Sequence, residues 1–468
     1  MFLGREKELN KLEKMAASDK FEMPIVYGRR RVGKTTLLRK FVEGKRHLFF
    51  TSIEGRKQEN LSYLKEVINQ GENETKILGD LTDFRTAFEA VLKIAQEEDS
   101  VFVFVIDEYP YLAKSDSSVS SILQMVIDTH YLRQSNLMLI LSGSSMSFME
   151  KQVLGYESPL YGRRTGQFKI LPLSPWEARD FFPKYSREDF LTIYGITGGI
   201  PLYLSLLDSN GTLKENICNH FFSTNTFLYE EPSNFLKQEL NNPSNYFSII
   251  SAIASGYNKF NEINSKAMLS TSSLDKYIQD LIELGIIVKD RPLGNKNKNA
   301  IIYRLKDGLF RFWFSFVPSN LLLITEDKGE LVWELVQEKL NMFTSKTFEE
   351  FCMEWLIKEN GSGTFQTVIT ELGSWWGRNP HVKESHAPQH EIDILGFGSQ
   401  NDMVIGECKW TTKKVDYNAV ELIKERSSFF NIANQEKFIF SKSGFTASCI
   451  EEAKASQVNL VEFKEMLS

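Results

Sequence analysis

The residues with the clearest chemistry in this chain are Gly28, Arg29, Arg30, Arg31, Val32, Gly33, Lys34 and Thr35, which read Gly-x4-Gly-Lys-Thr. Glycines at both ends let a loop curl so that successive backbone N–H groups point inward. A helix starting at the lysine adds its positive dipole end, so the loop is built to cradle phosphates. Lys34 would reach the β and γ phosphates of a nucleotide, the Thr35 hydroxyl would ligate Mg²⁺, and Thr36 extends the binding candidates into the first helical turn. A partner is needed for the metal. Asp107 follows the apolar run 101–106 and is placed to hold Mg²⁺ through water. Glu108 beside it is placed to polarise an attacking water as general base. The next apolar run, 137–141, ends in Ser142-Gly143-Ser144-Ser145, a polar cluster at a strand tip. Ser144 or Ser145 would contact the γ-phosphate, position water, or simply cap the next helix.

A second constellation lies near the carboxyl end. Asp393 sits in an apolar strand pattern, and after thirteen intervening residues come Glu407 and Lys409. Strand alternation puts Glu407 and Lys409 on one face and Cys408 on the other. If the two strands form a hairpin, Asp393 approaches Glu407, and the two carboxylates would hold a divalent metal, Mg²⁺ or Mn²⁺, while Lys409 activates water. Charges in buried strands are costly and seldom kept for packing alone.

These residues need elements to position them. At 468 residues the chain exceeds one hydrophobic core, so several domains are expected. The first part alternates strands (23–27, 101–106, 137–141) and helices, the pattern of a parallel α/β sheet covered on both faces. Beyond Pro172 short helices are expected at 174–182, 187–196 and 201–207, interrupted by Gly198-Gly199-Ile200-Pro201. Helices at 248–255 and 272–284, followed by extended segments 286–290 and 299–305, describe a winged helix. The aromatic stretch 309–317 reads as dense packing. A third pattern, a helix at 348–358, strands near 365–372, 391–397 and 403–409, a helix at 416–430 and a strand at 437–440, is a mixed sheet flanked by helices.

Bulk properties set limits. The composition is 42% hydrophobic and 25% charged with 35 Phe, which favours filled cores over disorder. The longest apolar runs are short for a membrane-spanning helix. The amino terminus lacks a signal-like stretch, so a cytoplasmic location and no membrane partner are expected. The four cysteines are scattered and read as reduced thiols. His386 and His390 have i, i+4 spacing, but Pro388 between them argues against a helical metal pair. A net charge of −6 argues against a globally basic nucleic-acid binder, not against local patches. One such patch is the wing, with Lys289, Arg291, Lys296, Lys298 and Arg304. It would suit phosphate contacts with duplex DNA, although Asp275, Asp280 and Glu283 on the neighbouring helix oppose base readout.

Residues 2–8, the glycine loop, Asp107-Glu108 and 142–145 resemble archaeal-type AAA+ ATPases, relatives of the origin-recognition and STAND ATPases. The resemblance implies that Gly4 and Arg5 sit beside adenine and that the Gly198–Pro201 segment is a lid motif with Pro201 near nucleotide. It also implies that Arg163 or Arg164 offers a cation to the γ-phosphate, in cis or from a neighbouring subunit. The last third resembles the DUF234 domain, a restriction-endonuclease-like fold of the PD-(D/E)xK type, with Glu349 or Glu350 as an accessory acid and 441–445 as a further match. The implied fold is α/β: a P-loop AAA+ core (1–172), a helical lid (173–240), a winged-helix domain (241–320) and the nuclease-like domain (335–468). The implied function is ATP hydrolysis, with ATP and Mg²⁺ as cofactors, coupled to a tail that binds and cleaves double-stranded DNA. The alternative is a STAND-like switch whose nuclease-fold tail is not catalytic. Homo-oligomerisation is compatible with both.

Overall fold

A computed structural model describes residues 2–71, 74–133, 136–295, 300–379, 381, 389–399 and 401–467. Lys296, Lys298, His386 and Pro388 lie outside the described residues. The chain divides into two compact units, one comprising 1–178 and 200–206, the other 179–199 and 207–468.

The first unit is built on five parallel strands: β1 (Pro24–Tyr27), β2 (Arg46–Thr51), β3 (Phe102–Asp107), β4 (Leu137–Gly143) and β5 (Gly166–Lys169). They are ordered β2-β3-β4-β1-β5. The strands β1, β3 and β4 are buried along their whole length, as their unbroken apolar runs require when both faces are covered. On one face the helices Lys57–Gln70, Phe84–Ala95 and Val119–Thr129 bury Leu64, Phe88 and Leu123 against Phe104 and Leu139. On the other, Glu6–Ala16 and Lys34–Val42 bury Leu12, Leu38 and Phe41 against Val103, Val105 and Ile140. Each such side chain contributes about 1.5–3 kcal/mol of hydrophobic burial. The rigid sheet formed in this way carries its loops at a common edge, the carboxyl ends of β1, β3 and β4.

The second unit begins with helices, among them Arg187–Thr197, Leu213–Phe221 and Phe227–Glu239. Pro243–Ala254, Phe260–Ala267 and Thr271–Glu283 follow, then an antiparallel hairpin of β6 (Ile287–Asp290) and β7 (Ile302–Leu305). The helix Phe260–Ala267 was not expected from the sequence, since Ile263 is its only buried residue. The aromatic stretch forms the helix Gly308–Phe316, with Phe312 ringed by Phe221, Phe222 and Phe343. By length and composition alone 308–325 is the one membrane-span candidate among the described residues. Half of it is buried in the protein.

The helix expected at 348–358 is the end of a 31-residue helix, Gly329–Glu359, which crosses position 335 without a break. Beyond it lies a sheet ordered β12-β11-β10-β9-β8, with β8 (Ile369–Arg378), β9 (Gln389–Gly398), β10 (Asp402–Lys409), β11 (Asn434–Ser441) and β12 (Val458–Glu462). The β8–β9 and β9–β10 pairs are antiparallel; β10–β11 and β11–β12 are parallel, bridged by the helices Asn418–Ser427 and Ala447–Ala455. Sequence reading places the first of these strands several residues early and omits β12.

Candidate active site

The phosphate loop leaves β1 at Tyr27. A Cβ on Gly28 would come within 2.3 Å of the Ile170 carbonyl oxygen, so only glycine lets the loop start this close to the chain leaving β5. Gly33, at φ 89°, caps the helix Lys34–Val42 in the left-handed conformation that glycine adopts freely. Lys34 is almost fully buried and donates from Nζ to the carbonyls of Gly28 (2.9 Å) and Arg29 (3.1 Å), folding back over the loop.

Thr35 Oγ1 donates to Asp107 Oδ2 at 2.7 Å. Asp107 ends β3 and is 1% exposed. A neutral hydroxyl and a carboxylate in contact form the hard oxygen pair that Mg²⁺ takes, so these residues fit the ion an ATPase employs. Glu108 caps the helix Tyr109–Ser115 at φ 53°. This left-handed conformation is costly for glutamate and turns its carboxylate out of the strand direction. There Glu108 Oε2 accepts from Ser144, which follows β4. Ser52, at the end of β2, donates to the carbonyls of Asp107 (3.1 Å) and Glu108 (2.5 Å) and buttresses the acidic pair. Ser52 carries no local signature; its role follows from β2 lying beside β3 in parallel register.

Arg5, at φ 73°, donates from Nη2 to the carbonyls of Val32 (3.1 Å) and Leu171 and lies 3.6 Å from Glu8. Burial lowers the proton affinity of its guanidinium, and Glu8 and Glu177 oppose that effect. It ties the amino-terminal segment to the phosphate loop, with Gly4 packed against Leu173 and Glu177. Pro201 lies over the loop, its Cγ 3.8 Å from where a Cβ on Gly33 would be. Arg31 Nη1 reaches Tyr203 Oη at 3.5 Å, Arg30 Nη2 donates to Tyr111 Oη at 2.7 Å, and Thr36 is exposed.

Arg163 and Arg164 are placed elsewhere. They precede β5, whose Gly166 pairs with Pro24 at the start of β1, so they sit at the amino-terminal edge of the sheet. The phosphate loop leaves the opposite edge, roughly 13–17 Å away at about 3.3 Å per residue. Arg163 forms a two-pronged pair with Asp128 (2.7 and 2.6 Å), and Arg164 donates to the Leu154 carbonyl. In this chain the two arginines and the phosphate loop are not brought together.

In the carboxy-terminal sheet, β9 and β10 pair as the expected hairpin. A register shift at Gly373/Trp375 faces the stretch between Leu395 and Ile392, both of which lie in one core cluster. Unbroken alternation would put them on opposite faces, so Asp393 is turned within a bulge. Its Oδ2 accepts from the Cys408 N–H at 2.8 Å. Burial, then the charges of Glu407 and Glu349, push the Asp393 carboxyl up to about 7. Burial also raises the Glu349 carboxyl, against the pull of Lys346. Glu350 instead pairs with Arg311 at 2.9 Å.

Glu407 is 4% exposed, and both its oxygens are engaged: Oε1 by Lys409 at 2.5 Å and Oε2 by Arg426 from the helix Asn418–Ser427. Among the described residues no group of three His, Cys, Asp or Glu side chains is arranged to hold a metal ion. Lys409 and Arg426 thus neutralise the carboxylate that was expected to share a divalent metal with Asp393. Arg426 lies outside the Asp-x13-Glu-x-Lys spacing, and only the crossover from β10 to β11 brings it here.

Residues 2–207 match a family described as an ATPase domain predominantly from Archaea, and residues 313–420 match one of archaeal and bacterial proteins of unknown function, DUF234. An uncharacterized protein of Methanocaldococcus jannaschii is 30% identical over 444 residues, 94% of each chain. An uncharacterized ATP-binding protein of the same organism is 50% identical over 46 residues, 10% of this chain and 78% of that one. The fold is shared with a Walker-type ATPase of Pyrococcus abyssi, with a TM-score of 0.50 and 21% identity over 67% of this chain and 96% of that one. The ORC2 protein of Aeropyrum pernix aligns with a TM-score of 0.45 and 13% identity, over 69% and 94% of the two chains. With a phosphate loop, a buried aspartate and a serine-held glutamate at one sheet edge, the chain belongs to the archaeal-type P-loop ATPase family that carries a DUF234 domain behind its ATPase core.

Proposed function

We propose that this ATPase is a nucleotide-driven switch whose output is the DUF234 domain, and that this domain acts without a resident metal. The observation that carries the reading is the Lys409–Glu407–Arg426 cluster, in which two cations occupy the carboxylate a divalent ion would need. Gly4, Arg5, the Gly28–Thr36 segment and Pro201 would bind ATP or ADP, Thr35 and Asp107 would hold Mg²⁺, and Glu108, Lys34 and Ser144 would carry hydrolysis. The segments 173–240 and 241–320 would act as lid and winged-helix module. The winged-helix reading favours transmission over free DNA probing: Leu293 in the β6–β7 connection donates its N–H to Ser374 at 2.9 Å and packs into the DUF234 core.

A second reading, metal-dependent cleavage of double-stranded DNA, is favoured by the convergence of Asp393, Glu349, Glu407 and Lys409 within electrostatic reach of one another. It requires Glu407 to be released from Arg426. Incubating the full chain with supercoiled plasmid, ATP and Mn²⁺ separates the two. The switch reading expects no strand breaks. Nicking that needs the metal and disappears in Asp393→Asn would establish the second reading and overturn the first.

A further inference from the structure

We propose that one face of the helix Thr271–Glu283 is the wall of a second small-molecule site. Its ligand carries a phosphate at one end and a planar, amino-bearing ring at the other, the chemistry of a nucleoside monophosphate. The site is a cavity of about 600 Å³ lined from that helix, from the helix Pro243–Ala254 and from residues 239–242 before it. Small-molecule sites commonly enclose about 300–1,000 Å³. Every lining residue belongs to the second compact unit, whereas the phosphate loop belongs to the first. The hydrolysis assigned to that loop therefore leaves this cavity without a use.

The lining changes character along its length. Ser272, Lys276 and Asp280 recur every four residues and share one face of the helix. At 1.5 Å per residue the first and last stand about 12 Å apart along its axis. Ser272 and Lys276, both exposed, offer a hydroxyl and an ammonium to a phosphate at one end. Asp280 offers a carboxylate at the other, steadied by the Tyr246 hydroxyl, which donates to Oδ2 at 2.5 Å. Burial raises the Tyr246 hydroxyl above its usual range, so it stays a donor, and the carboxylate keeps acceptor capacity for a further N–H. Between the two ends the wall is aromatic. Tyr277 meets Tyr246 edge-on with ring centroids 4.8 Å apart, and its hydroxyl accepts from Asn245 Nδ2 at 2.8 Å. Rings held in this way present a ready surface to a flat heterocycle. Asn241 and Asn242 line the same cavity, and their amides both donate and accept, as the edge of a base requires. The acid that opposes duplex readout has a use here. A carboxylate repels backbone phosphates but accepts from the exocyclic amino group of a base.

The test uses the full-length chain saturated with ADP and Mg²⁺, so that the phosphate loop is occupied, and adenosine monophosphate (AMP) as the probe. Isothermal titration calorimetry should show one AMP bound per chain, with adenosine and inorganic phosphate each binding at least about 10-fold more weakly. The same binding should survive in Lys34→Ala, which separates this site from the phosphate loop. Lys276→Ala should weaken AMP by about 10-fold or more, the loss expected for one hydrogen bond to a charged group. Ser272→Glu sets a carboxylate against the phosphate and should abolish AMP binding. Both positions are exposed, so the melting temperature of either variant should match the wild type. Absence of AMP binding at millimolar concentration, displacement of AMP by ADP, equal affinity for inorganic phosphate, or undiminished AMP affinity in Lys276→Ala would each overturn the proposal.

Discussion

Ser144 donates both its hydroxyl and its backbone N–H to one carboxylate oxygen of Glu108, at 2.8 and 3.2 Å. The two residues follow adjacent parallel strands, β4 and β3, so the sheet itself sets their separation. Two donors on one oxygen keep the carboxylate aimed while Glu108 sits in a left-handed conformation. Ser144→Ala removes the hydroxyl and leaves the N–H. A hydrogen bond to a charged group contributes about 1.5–3 kcal/mol, so kcat should fall about 10-fold or more with nucleotide affinity unchanged. Steady-state turnover and equilibrium nucleotide binding, measured side by side, check this.

The loop depends on glycine at its entrance. In Gly28→Ala the new methyl meets the Ile170 backbone oxygen at 2.3 Å, and neither chain can yield without moving a strand end. ATP binding should be lost and the melting temperature should drop. Lys34→Ala lacks the clash but loses the cation, so it should keep the wild-type melting temperature within a few degrees and still fail to bind ATP tightly. Differential scanning fluorimetry with and without nucleotide distinguishes the two failures.

The Asp393 carboxyl, pushed up to about 7 by burial and by Glu407 and Glu349, makes stability depend on pH in a defined direction. Its unfolded value is about 3.9. A raised carboxyl favours the fold below that value, and the contribution is lost as pH climbs from about 4 to 7. Asp393→Asn can still accept from the Cys408 N–H but carries no charge. The melting temperature of the variant, relative to wild type, should therefore rise between pH 5 and pH 8 in the absence of divalent ions. A flat or falling difference would mean that the carboxyl is not held in a desolvated, like-charged site.

Glu407 and Arg426 can be tested as a pair. Removing one partner of a buried ion pair leaves the other charge uncompensated, at a cost of about 3 kcal/mol. Lys409 keeps part of that balance. Arg426→Ala should thus lower stability to urea more than Glu407→Gln combined with Arg426→Ala, since the double variant leaves no buried charge uncompensated and only the part-exposed Lys409 to be solvated. Equal loss in both would show that Arg426 acts through packing alone.

The catalytic edge was legible in the sequence because it is local: strand, loop and helix follow one another from Met23 to Val42, and Asp107-Glu108 and Ser144 directly follow apolar strand runs. What was not legible depends on which strands are neighbours. Ser52 buttresses Asp107 and Glu108 only because β2 lies beside β3. Arg163 and Arg164 fall at the edge opposite the phosphate loop only because β5 joins β1 in parallel. The hydrogen bond from Arg30 to Tyr111 had no spacing signature. In the DUF234 domain the hairpin of β9 and β10 followed from alternation, whereas the bulge at Asp393 and the Arg426 clamp need tertiary contacts. The long helix Gly329–Glu359 was seen only at its end, because Leu331, Leu335 and Met342 are exposed and blur the 3.6-residue period of its first turns.

ATP hydrolysis at the edge formed by Gly28–Thr35, Asp107 and Glu108 should depend on Glu108 as the base. The most direct measurement compares single-turnover ATP hydrolysis and ATP binding in the wild type and in Glu108→Gln, which preserves shape and hydrogen bonding to Ser144 while removing the charge. Glu108→Gln should bind ATP and Mg²⁺ as tightly as the wild type and hydrolyse ATP at least about 10²-fold more slowly. Wild-type hydrolysis in that variant would show that Glu108 is not the base.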